Sequence, residues 1–449
     1  MVACGVLVIV APLTAFVIWK WHLESEIDKQ IASLKAAGCP VTGEEFNAFY
    51  PTPPSGQNAA DLYLKAMETI KQSKSFESKT LPVFSTNSRL FFERLTEAEL
   101  QESEKALEAS RDVFSTIDDA IKFKQCRYPI DLSQGFETLL PHLNGLRQLA
   151  RFMQLDALVA LGKGDSQRAM QDVLKTFAIA NSLDKEPTLI SKLVQIACYS
   201  IGCNTAQAVM CNASPDSVSL RELQAQAYEI EKAFSMKPGM VGEASMHSLY
   251  ITPDQEAPLL KAYLGGDSIL GMIASPFCIT KMNMAKVLED DNKLLEIYSK
   301  PLDEELEGGR VFDNDVQKGS KLYFLHRMLL SSLGTAAEKH ARFVAQLRAM
   351  RTAIAVELYR RDNGHLPERL DLLVPKYIVS IPGDPFAKGQ PLKFMSGELE
   401  CAPMPNDVTQ SIVKNGFVVY SVGKDGVGDH AQDCLSPKCK DICFAVFPK

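Results

Sequence analysis

The sequence predicts a mainly α protein with an N-terminal transmembrane helix, an irregular helical array, and a C-terminal α+β unit made of a long helix and a small antiparallel sheet. Three observations carry this. An uncharged apolar run opens the chain, a hydrophobic period of 3.6 dominates residues 23 to 330, and the last quarter alternates short β-prone runs with Pro, Gly and Asp. The 449 residues exceed the roughly 250–300 at which single cores stop growing, so the chain divides into 1–22, 23–335 and 336–449. Hydrophobic residues at 46% and charged residues at 23% describe a folded body. The net charge of −7, with no basic block, lacks the electrostatic footprint of a nucleic-acid binder.

The first element is "MVACGVLVIVAPLTAFVIW". At 1.5 Å per residue it reaches roughly 28 Å, the depth of a bilayer core. Trp19 and Trp21 bracket Lys20 where such a helix meets the headgroups, and Pro12 is tolerated in a membrane helix. A cleaved signal peptide would carry a basic start and a small-x-small site, and neither is visible after Phe16. Residues 2–19 are therefore expected to hold the chain to a membrane as a single pass. Lys20 alone points weakly to a cytoplasmic body.

In "GCPVTGEEFNAFYPTPPSGQNAADLYLKAM", Pro51, Pro53 and Pro54 keep the chain extended, Asn58 suits a helix cap, and Ala59 to Met67 propagate the helix. This stretch is expected to clamp the stalk to the helical body. Further on, Leu146, Leu149, Phe152 and Met153 line one helix face, and Met170, Val173, Leu174 and Phe177 line another. "GKGD" joins them, with Gly162 and Gly164 free to take positive φ and Asp165 able to cap the second helix. The hairpin and its "ALGKGDSQRAM" turn resemble one tetratricopeptide unit, but no second copy follows at that period, which favours an irregular array. Pro187 suits the first turn of the next helix, apolar on several sides.

Catalytic signatures are sparse. Glu243 and His247 share a helix face at i, i+4, a spacing that suits packing more than metal binding, because no further ligand pattern accompanies it. Neither a GxSxG elbow nor a Walker loop occurs. Of the 11 cysteines, Cys198, Cys203 and Cys211 lie in an apolar helical run as small core residues. Cys434, Cys439 and Cys443 cluster near the end, where disulfides, free thiols or, with His430, a metal knuckle are the alternatives.

Phe343, Leu347, Met350, Ile354 and Leu358 recur at helical spacing, so 336–362 reads as one long helix whose apolar face meets the small sheet. Asn363 and Gly364 end it and Pro367 blocks its continuation. A short helix or turn in "ERLDLLVPKYI", a constrained "IPGDPF" loop and strands in "PLKF" and "FVVYSV" complete the order.

"LYRRDNGHLPERLDLL", "IPGDPFAKGQPLKF", "YSVGKDGVGD" and the late "DIC" together resemble the soluble part of the major pseudopilin of type II secretion systems over roughly 336–449. Phe386 stands where that family has tryptophan. The N-terminus carries no prepilin-peptidase site, which implies that the chain is not processed and polymerised as a pseudopilin is. As a whole it resembles large bacterial proteins that join a membrane anchor and a helical region to such an ending. The resemblance implies that residues 23–449 lie outside the cytoplasm, periplasmic or extracellular. It also implies a calcium ion in the final loop, held by Ser421, Asp425 and Asp441 with Asp429 or Asp433 as a further carboxylate. A tight Asp425-Gly426 bend without metal is the alternative. The expected function is a non-catalytic interaction or scaffold protein with protein partners in the cell envelope. An accessory of a secretion or pilus-like apparatus comes second, and an enzyme with an unrecognised site third.

Overall fold

The computed structural model describes residues 2–73, 76, 81–84, 94–250, 279–331, 333–401, 411–428 and 440–447, with the backbone alone at 2–13, 279, 398–401 and 411–415. They form a mainly helical body with one three-stranded antiparallel sheet.

Helix α1 (Val2–Ala36) buries Leu23, Ile27 and Leu34 in the body. Its Glu24 pairs with Lys281 at 3.1 Å and its Gln30 Oε1 accepts from Asn292 at 3.0 Å, both on α11 (Ile279–Ile297). Because 24 meets 281 and 30 meets 292, the two helices run parallel. The predicted span starts in α1, but the side chains of residues 2–13 lie outside the described set. Among the described residues no helix is long and apolar enough to cross a membrane.

The stretch read as an extended clamp holds a further helix, α2 (Gly43–Phe49). Thr42 and Glu45 form a reciprocal capping box at its start, which offsets the cost of nucleating so short a helix. α3 (Ala60–Ser73) follows, with Asn58 Oδ1 accepting the Ala60 N–H at 3.2 Å, as the sequence suggests. α4 (Glu97–Glu108) and α5 (Asp112–Ala120) lead to the hairpin α6 (His142–Gly162) and α7 (Ser166–Asn181). Only Gly164 takes the positive φ, +80°, while Gly162 stays helical, and Asp165 caps α7 through the Arg168 N–H at 3.0 Å.

α8 (Leu189–Asn212) packs on both helices of the hairpin. Its cap is Thr188, whose hydroxyl accepts the Ser191 N–H at 3.1 Å, so Pro187 stands before the helix instead of in its first turn. The Pro187 carbonyl seats on Gly242 of α10 (Lys237–Leu249), where a Cβ would lie 1.7 Å from that oxygen. α9 (Ser217–Ala233), α12 (Leu302–Lys318) and α13 (Phe324–Leu330) complete the array.

Buried His–carboxylate pairs stitch these helices: His247 with Asp291 at 3.0 Å, His326 with Asp290 at 2.6 Å and His340 with Glu305 at 2.7 Å. Each joins elements distant in sequence, where breaking one partner would strand the other without water.

The long helix α14 (Thr335–Asn363) is the common spine. It touches α8, α9 and α12 and also β2 (Ser411–Ser421) and β3 (Ile442–Val446). Gly364 ends it at φ +77°. β2 lies between β1 (Lys393–Cys401) and β3, with Phe394 opposite Val419 and Val419 opposite Phe444. Phe417, Val419, Phe444 and Val446 join the same core as α14. The five residues expected to face the sheet are all buried, but the aromatic neighbours of Phe343 come from other helices of the array. Its ring stacks on Tyr199 of α8 at 5.2 Å and meets Phe234, just past α9, edge-on at 4.9 Å. A helix covered on several sides cannot devote one stripe to one neighbour.

Candidate interaction groove

A groove of about 320 Å³ opens between the proline stretch after α2, the segment after α5 and the end of α7. Pro51 and Pro53 form one wall, Phe123 to Cys126 the second, and Ser182, Asp184 and Lys185 the third. Lys124 and Lys185 are exposed at its rim.

Local chemistry fixes these walls. Asn58 donates to the Arg127 carbonyl and accepts the Arg127 N–H, both at 2.9 Å, while Ala59 N–H donates to Gln125 at 2.9 Å. The Arg127 guanidinium lies 4.7 Å over the Tyr50 ring, donates to the Tyr50 carbonyl, and reaches the Asn47 carbonyl at 3.1 Å. One arginine thus ties the end of α2 to the second wall, combining cation–π attraction with charge-assisted hydrogen bonds.

Behind the groove lies a closed polar cluster. Glu186 is fully buried and accepts from the Tyr50 hydroxyl at 3.3 Å, from the Ser191 hydroxyl, and pairs with His142 Nε2 at 3.0 Å. Tyr128 stacks on His142 with centroids 4.2 Å apart and bonds Ser182, a groove residue, at 2.8 Å. Serine, histidine and a carboxylate meet here, but not in catalytic order. Ser191 donates to the carboxyl instead of to the imidazole, so His142 is not placed to take its proton. The cluster is sealed from solvent and acts as the rigid back wall.

Other reactive types nearby are muted in the same way. Burial pushes the Cys126 thiol up to about 12, so it does not present a thiolate near neutral pH. Lys192 is buried, and burial lowers its ammonium to about 8 against the pull of Asp184. It donates to the Asp184 carbonyl at 2.6 Å, which holds the third wall from behind.

The other sequence-predicted residues fall elsewhere. Glu243 and His247 do share a face of α10, but the partner of His247 is Asp291 of α11. Burial alone would lower the His247 ring, and the Asp291 carboxyl outweighs it and holds the ring above its ordinary range. Burial raises Glu243.

At the C-terminal end, Ser421 is buried with its hydroxyl on Asp384 at 2.7 Å. Asp425 accepts the Val427 N–H at 3.2 Å and pairs with Lys440 at 3.3 Å. Asp441 is buried at the start of β3, while Asp429 and Asp433 lie outside the described residues. Among the described residues no group of three or more acidic, histidine or cysteine side chains is placed to hold a metal ion. Cys443 is held in a disulfide, so it is not a thiolate ligand of the metal knuckle considered above.

No family model, curated protein or solved structure matches the chain. The groove and its back wall escape sequence reasoning because their residues are drawn from positions 47 to 191, with no local pattern linking them. Of the local signals, Asn58 is read as a cap from the sequence, whereas the Thr42-x-x-Glu45 box that marks α2 is the signal missed there.

Proposed function

We propose that the chain is a membrane-anchored, extracytoplasmic interaction protein that seats a segment of a protein partner in the groove between the proline stretch and the end of α7. The observation that carries this is the pairing of an open, preformed groove with a sealed, fully hydrogen-bonded back wall: the shape is fixed before any partner arrives, which lowers the entropic cost of binding. The anchor rests on the uncharged run at residues 2–19. The outside location is favoured by the Cys443 disulfide, since such bonds persist in oxidising compartments. A reporter fused after Lys449 tests the topology: activity confined to the cytoplasm rejects it.

A second reading, an accessory of a secretion or pilus-like apparatus, draws on the order of long helix, Asp-Pro loop and antiparallel sheet that prompted the resemblance. A calcium ion in the final loop belongs to that reading. Co-purification with secretion components in native membranes separates it from the first.

A further inference from the structure

The end of the body nearest the apolar run of α1 carries a second apolar surface. Asn283 of α11 organises it, donating to the Leu322 carbonyl at 3.0 Å and accepting the Leu325 N–H at 3.1 Å and the His326 N–H at 3.3 Å. The parallel packing of α1 and α11 gives its height. Asn283 lies two residues past Lys281, and Trp21 three residues before Glu24, the partner of Lys281. At 1.5 Å per residue the entry to α13 therefore stands within roughly 8 Å of Trp21 along the helix axes. A headgroup layer is about 5–8 Å deep.

The chemistry of this turn matches that height. Leu322 is 64% exposed, Met328 44% and Phe324 37%, and Trp21 on α1 is 71% exposed. Val316, Phe324 and Met328 line a shallow hollow of about 300 Å³ with Arg327 at its edge. Lys318 and Lys321 are exposed beside it, and Asp315 is the single acidic residue from 315 to 328. Large apolar side chains clustered with cations, within about one headgroup depth of a tryptophan belt on its body side, are what an anionic lipid surface binds.

We propose that residues 318–328 form an interfacial foot, with Leu322, Phe324 and Met328 entering the headgroup layer of an anionic bilayer and Lys318 and Lys321 meeting its phosphates. The foot would fix the tilt of the body on its anchor. This rests on the anchor reading, and the test separates the two.

Trp19 and Trp21 are the two tryptophans of the chain, so fluorescence can be assigned. The full-length protein is reconstituted into phosphatidylcholine vesicles with or without phosphatidylglycerol, using lipids brominated near the headgroup end of the acyl chains. Wild-type quenching reports the anchor. Trp19→Phe and Trp21→Phe combined with Phe324→Trp, or with Leu322→Trp as a second reporter at a more exposed site, reports the foot. The expected result is quenching of the introduced indole in anionic vesicles, falling at least two-fold when Lys318→Glu and Lys321→Glu are added. Quenched wild type with both introduced indoles unquenched overturns the foot and leaves the anchor standing. Quenching that ignores the lysine substitutions overturns the anionic-lipid assignment. An unquenched wild type overturns the anchor and the foot with it.

Discussion

The carboxyl of Asp384 accepts the Ser421 hydroxyl at 2.7 Å, fastening the Pro-rich loop to the end of β2. The same carboxyl takes the Val422 N–H and the Phe386 N–H, each at 2.9 Å, and Asp384 is fully buried. "IPGDPF" is therefore a structural staple, and the serine expected in a calcium loop gives its hydroxyl to that staple. Replacing Asp384 by Ala strands two buried donors and one half-buried one, and the expected cost is about 2–4 kcal/mol, read as a lower urea midpoint of the full chain. A midpoint unchanged by Asp384→Ala would show that the loop is not held this way.

Glu186 gives a matching test in the groove wall. Glu186→Ala leaves Tyr50, His142 and Ser191 without their shared acceptor, and about 3–5 kcal/mol of stability should be lost. Ser191→Ala removes one donor and should cost about 1 kcal/mol. A Ser191→Ala effect as large as that of Glu186→Ala would contradict the network.

The α6–α7 hairpin sets a pH dependence. Burial, and then the neighbouring Asp156 carboxyl, push Asp172 up to about 9. Asp156 in turn takes the Arg168 Nε–H at 2.9 Å. A folded value above the ordinary 3.8 means that folding takes up a proton between about pH 4 and 9. The stability tied to this group is whole below about pH 4 and is lost as pH rises through about 9. Asp172→Asn keeps the shape without the titration. The variant should melt higher than wild type at pH 9, by an amount that fades toward pH 5. An equal difference at both pH values would exclude a protonated Asp172.

Calcium is tested at Lys440, whose ammonium now takes the charge of Asp425. If the final loop takes the ion, millimolar calcium raises the melting temperature, Lys440→Ala enlarges the rise and Asp425→Ala removes it. A melting temperature that ignores calcium in both wild type and Lys440→Ala rejects the site.

Local rules read well where one helix or turn decides its own structure. The span of α14, its Gly364 stop, the Asp165 cap and the Asn58 cap all follow from residues within a few positions of each other. The neighbours of Phe343 do not, because α14 is covered by different elements along its length and only tertiary packing assigns them. β3 is five residues long and contains Cys443, so its sequence carries no strand period that outweighs the metal or disulfide reading of the cysteine. The groove was invisible for a plainer reason. Tyr50, Arg127, His142, Glu186 and Ser191 meet only after the helices pack, and no spacing in the chain announces that meeting.

The central claim, that the groove seats a segment of a protein partner, is tested most directly by site-specific photo-crosslinking in native membranes. A photoreactive residue replaces Lys124 or Lys185 at the groove rim, or Val218, an exposed residue of α9, as the control. The account predicts one discrete adduct shared by the two rim positions, absent from the control, and lost when Asn58→Ala unties the wall from Arg127. No adduct from either rim position, or the same adducts from Val218, would contradict it.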